Sequence, residues 1–305
     1  MWTFILRRAI QIPVVLLAVI TITFFMVRSA PGGPFSSERQ LPRHIEANLN
    51  AYYGFDRPLL EQYGAYLVQL CQGDLGPSTK YEGLTVNEII GQSFPVSLQL
   101  GLAAFCLSVI IGLPLGIYSA YRQNSVFDYS LMSIAMIGIC LPTFVLGPLL
   151  SYFFALKFGW FNSSGWYEPK DIVLPAVTLG LYFAAYIARL SRAGMLEVMN
   201  QDFIRTARAK GLSEWGVVVT HGVKIAIRPV VSYLGPALAG MVSGSFVVEL
   251  IYDVPGLGRF FVLGAINQDY SLVLGTVVFF ALLIVIFNLA VDVILGLLNP
   301  KQREL

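Results

Sequence analysis

The chain has 305 residues, of which 56% are hydrophobic and only 12% charged, with a mean hydropathy of +0.69. A soluble globule carries about twice that charged share, so a water-soluble fold is excluded and an all-α polytopic membrane protein is indicated. The formal net charge of +2 gives no footing for nucleic acid as a partner, and Cys71, Cys106 and Cys140 show neither a disulfide framework nor metal-ligand spacing.

Six apolar stretches approach or exceed the ~20 residues that a hydrocarbon core requires. They run from about Ala9 to Val27, Val96 to Tyr121, Tyr129 to Leu156, Ile172 to Leu190, Pro229 to Tyr252 and Ser271 to Leu298. Arg7 and Arg8 precede the first stretch as in a signal peptide, but it is long for one. Ser29-Ala30-Pro31 is also a poor cleavage site, so a retained helix is expected. Residues 1–29 therefore form an N-terminal span, residues 30–95 an external loop, and residues 96–305 a five-helix core with a loop at 191–228.

The loop from Arg28 to Pro95 has a helix-like stretch from Leu59 to Gln72 and turn signals at Pro31-Gly32-Gly33-Pro34 and Gly73-Asp74-Leu75-Gly76-Pro77. It is expected to fold as a small cap. Basic residues crowd one side of the spans, at Arg7, Arg8, Arg122, Arg189, Arg192, Arg205, Arg208, Lys210, Lys224 and Arg228. The positive-inside rule makes that side cytoplasmic, with both termini on it. No internal repeat is visible, which weighs against the repeat-built secondary transporters.

Within the basic loop, Gln201 to Gly211 (QDFIRTARAKG) reads as a short helix that ends at glycine. Asp202 suits its N-terminal dipole, Arg208 and Lys210 its C-terminal end, and Gly211 a left-handed position after the last turn. Phe203, Ala207 and Lys210 share one side at helical spacing, a face expected to meet a partner. Two readings stay open from the residues alone: a helix that docks into a groove on another protein, and a surface helix held by anionic lipid.

These residues resemble a known family. Asp202 to Gly211 is similar to the "EAA" loop of ABC-importer permeases, in the form usual for the oligopeptide, dipeptide and nickel branch. Glu249-Leu250-Ile251-Tyr252-Asp253-Val254-Pro255-Gly256-Leu257-Gly258 resembles the same branch, as do Asp269 to Val273, Asn288, Asp292 and Asn299-Pro300. Gly73 to Ser78 followed by Phe94-Pro95-Val96 is also typical of its first external loop. Three positions depart from the pattern: Asp202 stands for the usual Glu, Ile225 for Asn, and Arg228 for an apolar residue before Pro229. The resemblance covers nearly the whole chain and is greatest to the first permease subunit of oligopeptide importers.

The resemblance implies a type I importer permease fold of six spans in a bacterial inner membrane. The implied partners are a sister permease, two cytoplasmic ATPases, an extracytoplasmic peptide-binding protein, membrane lipid and the peptide substrate. It implies no enzyme activity and no cofactor on this chain, ATP and Mg being bound by the ATPases. The sequence agrees in lacking a G-x-x-x-x-G-K-[ST] phosphate loop. Asp202, Phe203, Thr206, Ala207, Arg208, Lys210 and Gly211 would form the ATPase-coupling helix. Gly240, Ser243, Gly244 and Glu249 are candidates for the pore or for helix packing, the small residues by analogy with close-packed spans. Dipeptides, nickel, glutathione or antimicrobial peptides are alternative substrates within the branch. An ion-coupled transporter would need a charged relay buried mid-span, which most segments lack, and an intramembrane enzyme would need converging catalytic groups, a constellation the spans do not show.

Overall fold

The computed structural model describes residues 2–30, 43–243 and 245–298, and among these the chain is helical apart from turns and one isolated bridge between Pro77 and Thr85. Helix α1 (Trp2–Ser29) is the first span. The cap that follows contains α2 (Arg43–Tyr52) and α3 (Leu59–Cys71), the second at the expected place. Tyr66 of α3 stacks on Phe24 of α1 with ring centroids 5.9 Å apart, and both share a small core with Leu274. Aromatic burial thus fixes the cap to the spans beneath it.

Helix α4 (Val86–Tyr121) begins ten residues before the expected start at Val96. A capping box is the cause. Thr85 accepts from the Glu88 amide, while the Glu88 carboxylate accepts from the Thr85 amide at 2.8 Å. Pro95 sits inside this helix, so the expected boundary at 95/96 falls within α4 and Phe94-Pro95-Val96 is helix. With 36 residues, α4 provides roughly 50 Å of helix and links the cap end to the opposite end.

The third apolar stretch is not one straight span. Helices α5 (Val126–Cys140) and α6 (Thr143–Leu150, continued by a π-helical turn Ser151–Lys157) meet at 106°. Leu141 is forced to extended backbone ahead of Pro142, which ends α5. Helix α7 (Val173–Met199) overshoots the expected end at Leu190 by nine residues. The expected loop 191–228 is therefore mostly helical, with α8 (Asp202–Ala209), α9 (Glu214–Val217) and α10 (Val223–Ala226) following in short steps.

The fifth stretch forms α11 (Arg228–Ser243) and α12 (Phe246–Ile251), with Gly244 outside the described residues. Helix α13 (Leu257–Ile266) is apolar but too short to cross a bilayer, and α14 (Tyr270–Leu298) is the last span. Among the described residues, five helical stretches are long and apolar enough to cross a membrane, and six if the bent α5–α6 pair is one span.

The centre of the molecule is the contact of α4 with α7. An added Cβ at Gly112 would lie 2.5 Å from the Ala184 carbonyl oxygen, and one at Gly116 would lie 2.2 Å from that of Ala188. Both glycines let backbones touch. Gly116→Val should push α4 from α7 at a cost of about 1–3 kcal/mol or more, as in overfilled cores. A lower thermal unfolding midpoint in detergent is expected; an unchanged midpoint would contradict the close approach.

Candidate functional site

Three motif-bearing segments converge into defined clusters. The first is α8, where Ile204 and Ala207 are buried against Met195, Val198, Val217 and Val218, in a core shared with Ala120 of α4 and Ala226 of α10. Phe203 is half-buried beside them. This corrects the expected orientation of the helix: Ala207 faces its own chain, because Ile204 one turn earlier drags that side into the core. The outward stripe is Asp202, Thr206 and Ala209, flanked by exposed Arg205, Arg208 and Lys210.

The ends of α8 are set as the sequence suggested. Gly211 has φ +81°, a left-handed conformation that a β-carbon disfavours, and its amide donates to the Arg208 carbonyl at 2.9 Å. Asp202 occupies the first turn and lies 3.5 Å from Arg205. Arg208 forms a fork onto Glu214 at 2.9 and 3.2 Å, which ties α8 to α9 across the turn. The helix is thus seated on the ends of α4 and α7 from below and presents a small, polar ridge with a basic rim.

The second cluster surrounds Glu249, whose side chain is fully buried. Ser97 of α4 and Ser245 donate to Oε1 at 2.7 and 2.5 Å, and the Arg259 amide donates to Oε2 at 2.9 Å. Ser97 in turn accepts from the Leu257 amide at 2.8 Å. Glu249 and Ser97 between them therefore satisfy orphan amides at the start of α13, as an N-cap would. The glycines of the Pro-Gly-Leu-Gly motif make room for this: a Cβ on Gly256 would lie 2.4 Å from the Glu249 carboxyl carbon. Tyr252, one turn on, is buried and donates to the Gly147 carbonyl of α6 at 2.9 Å. Of the two readings for Glu249, the geometry supports helix organisation.

The third cluster joins the Gly-Asp-Leu-Gly-Pro-Ser and Asp-Tyr-Ser-Leu motifs. Asp269 is fully buried, bonded by the Ser78 hydroxyl, and accepts from the amides of Thr79 and Leu272 at 3.2 and 3.1 Å. It caps α14 and fastens the cap segment to it in one stroke.

The small residues of α11 and the candidates among them divide. Gly235 packs on α14, where an added Cβ would meet Val291 at 2.7 Å. Gly240 and Ser243 are half-buried; Gly240 has ordinary room beside Phe183, and Ser243 bonds back to the Ala239 carbonyl at 2.6 Å. Gly244 lies outside the described residues.

One element was missed in the sequence. Asp128 of α5 is buried and takes a two-pronged bond from Arg192 of α7, both contacts at 2.7 Å, with Ser119 and the Asn124 amide completing the shell. Arg192 counts in the sequence only as a topological charge, and nothing local marks its partner 64 residues away.

Comparison with known proteins agrees with this architecture. Residues 112–304 match the family described as "Binding-protein-dependent transport system inner membrane component", and residues 1–100 match its N-terminal companion. The oligopeptide transport system permease protein OppB of Salmonella typhimurium is 47% identical over 99% of this chain and 100% of its own length. The dipeptide transport system permease protein DppB of Bacillus subtilis is 40% identical over 98% and 97%. A chain of the inward-facing MetNI methionine ABC transporter superposes with TM-score 0.57 at 20% identity, over 69% of this chain and 96% of that one, which shows the shared fold. The chain belongs to the family of binding-protein-dependent transport system inner-membrane components, with the type I ABC-importer permease fold.

Proposed function

We propose that this chain is a pore-forming subunit of an ATP-driven importer of oligopeptides. It pairs with a homologous sister permease, receives peptide from an extracytoplasmic binding protein, and is driven by two cytoplasmic ATPases that hold ATP and Mg. It sits in a bacterial inner membrane with both termini and α8 on the cytoplasmic side and the cap outside, as its basic residues favour. Full-length identity is higher to the oligopeptide than to the dipeptide relative, which favours the longer substrate.

The observation that carries the coupling mechanism is the attachment of α8. Its inner face shares one apolar core with the ends of α4 and α7, while Asp202, Thr206 and Ala209 face outward. An ATPase groove that receives this ridge pulls on α7 directly. Because α7 and α4 touch through backbone at Gly112 and Gly116, the two spans tilt as a unit rather than slide. Such rigid-body motion between two packings is what alternating access requires.

Reconstitution tests the proposal. The purified chain alone should show no ATP hydrolysis. The assembled complex in vesicles should take up a labelled tetrapeptide only with ATP and the binding protein. Hydrolysis by the single chain, or uptake driven by an ion gradient without ATP, would overturn it.

A further inference from the structure

Among the described spans α7 is the most enclosed, packed against α4, α5, α6 and α11. Its exposed residues are Tyr182, Tyr186, Arg189, Ala193 and Glu197, which recur every three or four positions and so form one open stripe. Measured from the external end of α7 at Val173, Tyr182, Tyr186 and Arg189 lie roughly 14, 20 and 24 Å along the helix, within the ~30 Å of a hydrocarbon core. Helix α14 is open in a different way. Among its described side chains the exposed ones are Leu282, Ile284, Ile286, Ala290 and Ile294, all aliphatic, as contact with lipid tails requires. The α7 stripe instead carries two phenol hydroxyls and a guanidinium, and among the described residues none of the three has a hydrogen bond or ion pair. Such groups are costly against hydrocarbon, so this face meets water or a polar ligand.

A groove of about 450 Å³ opens beside the stripe, lined by Met132 and Met136 of α5 and by Tyr186, Arg189 and Leu190 of α7. That volume falls in the range of ligand sites, ~300–1,000 Å³. Arg192 also borders the groove, but its charge is spent on Asp128. Glu197 lies two turns beyond Arg189, roughly 12 Å away, so the positive charge left facing the groove is that of Arg189. Tyr186 is held in place by stacking on Tyr233 of α11, with ring centroids 4.6 Å apart. The combination suits one ligand chemistry. Peptides of different sequence share a terminal carboxylate and backbone amides. Arg189 offers a fork of donors to the first. Tyrosine hydroxyls donate to or accept from the second. Methionine walls adapt to side chains of different shape. A phospholipid would use Arg189 and the methionines but lay its acyl chain over the hydroxyls of Tyr182 and Tyr186, leaving both unsatisfied.

We infer that the open stripe of α7 lines the peptide path, with Arg189 holding the carboxyl terminus of the peptide in transit and the hydroxyls of Tyr182 and Tyr186 meeting its backbone. This rests on the importer reading and adds to it the residues that touch substrate.

The test uses the assembled complex in vesicles with its binding protein. One readout is ATP-driven uptake of labelled tri-alanine, the other photo-cross-linking of Ala-Ala-benzoylphenylalanine during turnover. Arg189→Gln should slow uptake about tenfold through loss of a charge-assisted bond, and Arg189→Lys should restore most of it, with the thermal midpoint held in both. Photo-adducts should map to Met132, Met136 or Tyr186 and should fall in Arg189→Gln. Tyr182→Cys, in a chain whose other cysteines are replaced, should be labelled by a water-soluble maleimide. No ATP-driven uptake by the parent complex would remove the importer reading and this inference with it. Uptake by the parent and equally fast uptake by Arg189→Gln, the result for an arginine resting on lipid phosphate, would overturn this inference alone. So would adducts confined to α1 or α14. A Tyr182→Cys that is never labelled and cross-links to the sister permease throughout the ATP cycle, the result for a stripe sealed between permeases, would do the same.

Discussion

Glu249→Ala is expected to destabilise the folded chain by about 3–5 kcal/mol. The substitution leaves the hydroxyls of Ser97 and Ser245 and the amide of Arg259 facing a cavity with no acceptor. A buried donor without a partner costs ~1–3 kcal/mol, and the three share one site, so the costs do not add fully. The start of α13 loses its capping acceptor at the same time. Glu249→Gln keeps the shape but turns an amide donor toward one of the donors, so a loss of about 1–2 kcal/mol is expected. Thermal unfolding in detergent and limited proteolysis between α12 and α13 would read both. A Glu249→Ala protein as stable as the parent would show that the carboxylate does not organise this segment.

Ala209→Trp is expected to abolish coupling without harming the fold. Ala209 is exposed on the outer stripe of α8, so the indole meets nothing in its own chain. Against a close-fitting ATPase groove it costs about 1–3 kcal/mol, which is roughly a ten- to hundredfold loss of affinity. Peptide-stimulated ATP hydrolysis should fall accordingly while assembly with the sister permease persists. Ala207→Trp should behave differently, because Ala207 is buried against α7 and α9 and the bulk unseats α8 from its own chain. If α8 instead rests on anionic lipid, Ala209→Trp is tolerated and loss of Arg205, Arg208 and Lys210 is what disables the protein.

The positions of the spans were legible because apolar length alone determines them. The helix at 202–209 and its left-handed glycine were legible because dipole and chain-end chemistry are local. The direction in which α8 faces was not. Ala207 and Ala209 are both small, and periodicity says which residues share a side without saying which side is covered; Ile204 was the available clue. The early start of α4 was written in Thr85-x-x-Glu88, but apolar length places the start of the span only at Val96, after Pro95. The third stretch read as one span; its 106° turn after Leu141 depends on how α6 packs against α12 and α7. The pairs Asp128–Arg192 and Ser78–Asp269 join residues far apart in the chain, and one sequence carries no signal for them. The Glu249 cluster explains a motif that was recognised as a string before its purpose was visible.

Docking of α8 on an ATPase is tested most directly by a single cysteine at Ala209, in a chain with Cys71, Cys106 and Cys140 replaced by alanine. In inside-out vesicles a water-soluble maleimide should label this cysteine readily in the permease pair alone. Adding the ATPases should protect it, and a short bifunctional reagent should then join the two chains. Equal labelling with and without the ATPases, and no cross-link at any stage of the ATP cycle, would contradict the docked α8.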